Sequence, residues 1–158
     1  MINQLNTPTL NGNSIAEKRQ ELVAYFKNTW ATYESLFSLI NQDEAYFLRP
    51  EPLRHPLVFY FGHTATFYVN KLLLGKDIKN RVNSRLEAIC AVGVDEMSWD
   101  DLNSEHYEWP AIDEVRAYRQ QVYNLVLNLI ETMELTLPIR QDSLAWIILM
   151  GCEHERIH

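Results

Sequence analysis

Cysteine is scarce in this chain: there are two, Cys90 and Cys152, among 158 residues. Two cysteines do not make a disulfide framework, and a reducing cytoplasm is the natural setting. Positive charge is also short. Fourteen Lys and Arg face 21 Asp and Glu, a formal net charge of −7. Nucleic acid is therefore excluded as a partner, because phosphate contacts need a basic face, and an anionic membrane surface is excluded for the same reason. No stretch reaches the roughly 20 consecutive apolar residues that span a bilayer. The N-terminus, MINQLNTPTLNGNS, has no basic segment followed by an apolar run, so it does not read as a signal peptide. Glycine and proline are few, five and six, which leaves room for long uninterrupted helices.

The length fits one domain with a real core. Residues 1–13 are polar and read as a flexible arm, and residues 14–158 read as one helical domain. Ser14-Ile15-Ala16-Glu17 has the form of a capping box. Ile15, Leu22, Phe26, Tyr33, Phe37 and Ile40 then recur at helical spacing, which predicts a helix over about 14–41. Pro50 and Pro52 interrupt the chain. Pro56 suits a first helical turn, and LVFYFGHTATFYVNKLLLG is apolar nearly all round, which predicts a buried helix stopped near Gly75. Residues 76–112 keep no period and read as a long irregular connection between helices 2 and 3. Val115, Tyr118, Val122, Leu125, Leu129 and Met133 mark one face of a third long helix, and Asp142 or Ser143 can cap a fourth. The expected fold is all-α, a four-helix bundle with one long crossover.

The last helix ends in GCEHERIH, which contains His154-Glu155-Arg156-Ile157-His158, a literal H-E-x-x-H. Residues four apart share a helix face, so His154 and His158 can offer two imidazoles to one metal. Ile147 and Gly151 lie on the same stripe, which predicts that the histidines point into the bundle and that Gly151 leaves room beside His154 for a partner side chain or substrate. The blander alternative is two histidines on a solvated last turn, favoured there by the helix dipole. A zinc protease would take its third ligand downstream, with the glutamate as general base. Here a third ligand must come from upstream: His55, His63 or His106. His63 is favoured, because it falls inside the buried second helix, where a lone imidazole is costly, and Gly62 gives it space. His55, before a proline, reads as a cap or an exposed residue, and His106 falls in an acidic loop. Three histidines with open positions suit Fe(II), Zn(II), Ni(II) or Mn(II).

RHPLVFYFGHTATFYVNKL, AVGVDEMSWDDLN and MGCEHERIH, in this order, resemble the N-terminal DinB-like domain of the ovothiol-pathway 5-histidylcysteine sulfoxide synthases, relatives of the ergothioneine sulfoxide synthases. The resemblance runs from about Thr32 to the end of the chain. It implies a DinB-like bundle with Fe(II) as the metal, held by His63, His154 and His158, and the use of O2 to join cysteine sulfur to the imidazole of histidine. Glu155 would then be a surface residue or a support for the ligands rather than a base. The resemblance also implies that the chain stops ahead of a domain like the formylglycine-generating enzyme, and is inactive alone. Arg81 and Arg85 are candidates to grip a substrate carboxylate by bidentate hydrogen bonds, with solvated surface arginines as the alternative. Trp99 and Asp100 serve packing and capping as readily as substrate, and Cys152 reads as a buried structural thiol. Two other functions fit the same pattern: a free-standing DinB-like transferase or hydrolase with a three-histidine Zn or Ni site, and a non-catalytic bundle that forms a homodimer.

Overall fold

The computed structural model describes residues 5–92 and 107–158, and among them the regular structure is entirely helical. Four long helices, α1 (Ile15–Phe37), α2 (Leu57–Leu74), α4 (Ile112–Thr132) and α5 (Leu144–Ile157), form the bundle, with a short α3 (Ser84–Ile89) and a 3-10 turn at Asp43–Phe47 in the connections. Helices α1 and α2 each pack on both α4 and α5, so α1 and α2 face each other across a diagonal. None of these helices is long and apolar enough to cross a membrane.

Local chemistry sets the helix ends. The Ser14 hydroxyl accepts from the Glu17 N–H at 3.2 Å, and the Ser143 hydroxyl caps α5 through the Trp146 N–H at 3.3 Å. Pro56 is the residue before α2 rather than its first-turn member, and Gly75 closes that helix. Helix α1 stops at Phe37, short of the expected Ile40, because the chain tightens into i→i+3 bonds from Leu39 and Ile40. Ile40 still packs against the core from outside the helix.

The connection after α2 is less irregular than its sequence suggests. Asn83 caps α3 by accepting from the Leu86 N–H at 3.1 Å, and Glu87 accepts from the N–H groups of Val82 and Asn83 at 2.9 Å. Leu86 then plugs into the core at 1% exposure. A helix of six residues is too short to display a period, which is why the pattern alone misses it.

The buried face of α4 also differs from the expected stripe. Val115, Tyr118, Val122, Val126 and Ile130 are buried, while Leu125 and Leu129 lie at the margin. A straight helix turns every 3.6 residues, so a stripe drawn at 3.5 drifts off the core face over four turns. The same face carries Arg119, a charge in the middle of an apolar row. Phe26, Trp30, Tyr68 and Tyr123 form the aromatic centre, with ring centroids 5.4–6.1 Å apart.

The N-terminal arm is tethered at three places. The Thr7 hydroxyl meets the Tyr25 hydroxyl at 3.2 Å, Lys18 Nζ donates to Thr9 O at 2.9 Å, and the Ile139 N–H donates to Leu10 O at 2.8 Å.

Candidate metal centre

Helix α2 places His63 at the centre of the bundle with no exposed surface. Its Nδ1 lies 2.8 Å from the carbonyl oxygen of Cys90. A carbonyl only accepts, so Nδ1 carries the proton and the Nε2 lone pair is left to face a ligand. Gly62 makes this contact possible. A Cβ at position 62 would collide with the Cys90 sulfur, so the glycine admits Cys90, rather than giving His63 the room expected from sequence. Phe59, one turn earlier, stacks on the His63 ring at 5.1 Å and 12°.

Helix α5 brings the other two imidazoles. The His154 ring lies flat on Phe67, 3.7 Å between centroids and 7° between planes, and its Nδ1 is buried without a hydrogen-bond partner among the described residues. A buried imidazole nitrogen in this state is costly unless something occupies it. Burial first, then the neighbouring His63 and His158 and the charge of Lys71, push the His154 pKa down to about 3. Burial also lowers that of His158. Both rings are therefore neutral near pH 7, the state in which imidazole binds metals. The three ring centroids lie 4.6–5.1 Å apart, and one nitrogen from each residue falls within 4.8 Å of the others. Among the described residues, these three histidines could form a metal site. Their exposure is graded: His63 is buried, His154 intermediate and His158 exposed.

The glutamate of H-E-x-x-H takes an adjacent face of the helix, about 100° around from His154. The buried residues of α5 are Ala145, Ile148, Leu149, Gly151, Cys152 and Glu155, so Gly151 of the expected stripe is buried, while Ile147 and His154 are half-buried and His158 is exposed, at the edge of this row toward α2. Glu155 is 1% exposed, which removes the surface role expected as one option. Its Oε1 accepts from Arg119 Nη2 at 3.0 Å and from the Thr64 hydroxyl at 3.4 Å, and its Oε2 accepts from the Tyr68 hydroxyl at 3.3 Å. Burial raises the carboxyl's pKa, with Arg119 pulling against it. Burial likewise works against the Arg119 charge, but Glu155 and Glu34 outweigh it and hold the guanidinium charged. A carboxylate held this way is not free to act as a base on metal-bound water. Gly151 has its place beside this network: a Cβ there would strike the Tyr68 ring, so the room that it leaves is filled by that tyrosine.

The remaining candidates fall in different places. His55 is neither an exposed residue nor a helix cap. It is 6% exposed, donates to Val92 O at 3.2 Å, and packs among Phe59, Tyr107 and Trp109. His106, Trp99 and Asp100 lie outside the described residues. Arg81 pairs with the buried Glu87 at 2.9 Å and with Asn70 at 3.0 Å, and Arg85 pairs with Glu114 at 2.9 Å. Arg81 also lines a cleft of about 730 Å³ between α2 and α3, together with Asn70, Lys71 and Ser84. Cys152 is buried as expected, its pKa raised by burial to about 12, so it is no nucleophile at neutral pH. Arg119 was not legible as a partner of Glu155. The one available signal was a lone arginine on the apolar face of α4.

The helical bundle has a counterpart among known proteins. Residues 25–158 match the DinB superfamily, and the chain belongs to it. A curated relative is ergothioneine biosynthesis protein 1 of Neurospora crassa, 26% identical over 137 residues. The match covers 82% of this chain and 15% of the relative's length.

Proposed function

We propose that this chain is the Fe(II)-holding DinB bundle of a sulfoxide synthase that joins cysteine sulfur to the imidazole of histidine with O2. The observation that carries the metal part is the convergence of His63, His154 and His158, with a buried, unpartnered Nδ1 on His154. The donors fit an ion: three neutral imidazoles, one of them fixed in its tautomer by the Cys90 carbonyl. Ligand nitrogens on one ion with bonds of about 2.0–2.1 Å sit roughly 3.3 Å apart, so the rings draw together by an ångström or so on binding. His158 is the most exposed of the three.

The similarity to an ergothioneine biosynthesis protein, together with the quoted motifs, supports the choice of chemistry. A ferrous ion with open positions supplies the O2 and one-electron chemistry that side chains lack. The protein's share is to hold three neutral nitrogens, keep one side of the ion dry against Phe59 and Phe67, and leave the His158 side open for small substrates. Arg81, at the cleft between α2 and α3, is retained as a contact for a substrate carboxylate; Arg85, on the outer side of α3, is retained more remotely.

The test is anaerobic titration with Fe(II). One equivalent per chain, lost in His154→Ala, is expected. Stoichiometric binding that survives this substitution would refute the site. Competition with Zn(II) and Ni(II), followed by O2 and cysteine–histidine coupling assays on the full protein bearing this bundle, separates the iron reading from a Zn or Ni transferase.

A further inference from the structure

We infer that Arg119 and Glu155 are positioning residues, a clamp that sets the register of the two ligand-bearing helices for the three-histidine site. The inference rests on that site being the metal site. Arg119 is 1% exposed and holds every element around it. Its Nε donates to Glu34 of α1 at 2.6 Å, its Nη1 to Phe61 O and to the Thr64 hydroxyl of α2 at 2.8 Å, and its Nη2 to Glu155 of α5 at 3.0 Å. Its guanidinium also lies over the rings of Trp30, Tyr33 and Phe61, 4.3–5.1 Å from their centroids.

The anchor points bracket the ligands. Phe61 and Thr64 stand two residues before and one after His63. Glu155 is the residue after His154. Thr64 closes the circuit, accepting from Arg119 and donating to Glu155 at 3.4 Å. A guanidinium has a rigid planar fork, so its contacts fix direction as well as distance. The apolar contacts between α2 and α5 do not do this, because packed helices can settle in neighbouring registers displaced by about 1–2 Å. A metal site tolerates far less, about 0.5 Å in ligand placement. The clamp supplies what packing lacks, at the residues where the error would matter.

Energetics point the same way. A buried ion pair gains little over apolar residues of the same volume, so stability alone does not account for this one. The clamp also gives the glutamate of H-E-x-x-H a role in a chain where that carboxylate has its oxygens turned into the protein.

The test compares metal affinity with stability. Co(II) is the probe, because its visible bands report ligand geometry. In the double variant Arg119→Met/Glu155→Leu, the melting midpoint should stay at or above the wild-type value. Co(II) affinity should fall by about 10–100-fold, with weakened or shifted bands. Glu155→Gln, which keeps the shape, covers the case in which the double variant does not fold, and should lose at least several-fold in affinity. Ile130→Ala lowers stability away from these contacts and should leave Co(II) affinity and spectrum unchanged. Wild-type affinity and spectrum in the folded double variant, or in Glu155→Gln, would overturn the clamp alone. Loss of affinity in Ile130→Ala would overturn it too, by showing that the effect follows stability. Wild-type protein that binds no Co(II), or binding that survives His63→Ala, would reject the three-histidine site and the clamp together.

Discussion

The two sides of α5 carry neighbouring residues of one motif and do opposite things. Toward α2, His154 and His158 present neutral nitrogens with increasing exposure, and Nδ1 of His154 is buried with no hydrogen-bond partner among the described residues. Toward the core, Glu155 is closed in by Arg119, Thr64 and Tyr68, with each carboxylate oxygen committed. The first side is left unsatisfied in the protein alone, as a binding site must be; the second is satisfied within the protein, as a structural support must be. A single turn of helix thus carries both the nitrogens proposed to bind and the carboxylate that holds the frame.

That contrast can be broken from either side. The largest effect is expected on the histidine side. His63→Gln or His154→Ala should weaken metal binding by more than about 100-fold, beyond the about 10–100-fold typical of supporting residues, while helicity by circular dichroism is kept. Next comes the core side. Glu155→Ala leaves the Arg119 charge with only part of its neutralisation, and should lower unfolding free energy by about 3–5 kcal/mol in urea melts. A loss below 1 kcal/mol would mean that the ion pair is no anchor. Gly151→Ala forces a methyl against Tyr68, and should cost about 1–3 kcal/mol.

The pH response sharpens the comparison. The folded pKa of His154, about 3, lies below its unfolded value near 6.5, so the unfolded chain takes up the proton first. The stabilisation of metal-free protein is full above about pH 6.5 and is lost progressively as pH falls toward 3. His154→Phe should flatten that part of the stability–pH curve relative to wild type. An unchanged slope would show that His154 is not buried as a neutral ring. The smallest effect is expected from Arg85→Ala, since its pair with Glu114 is exposed on both sides; no shift of melting midpoint should be resolved.

The legible parts of this protein were the local ones. The spacing of His154 and His158 is a property of one helix, and Pro56, Gly75 and Ser143 mark helix ends through their own backbone chemistry. His63 stood out because a polar ring within LVFYFGHTATFYV demands a partner. The Arg119–Glu155 pair was hidden because its members are 36 positions apart on different helices, and a single sequence does not say which charge neutralises which. His55 was misplaced for a related reason: its neighbours Trp109 and Tyr107 come from the far side of the connection. Gly62 was read as space for His63, whereas Cys90 fills that space from another element; Gly151 was read as room beside His154 for a partner side chain or substrate, and the Tyr68 side chain fills it.

Three histidines from two helices are proposed to hold one ion, and X-ray absorption on protein loaded with one equivalent of Zn(II) reads their number. Three imidazole ligands at about 2.0–2.1 Å are expected, falling to two in His63→Ala. Fewer imidazoles in the wild type, or a spectrum unchanged by His63→Ala, would rule the site out.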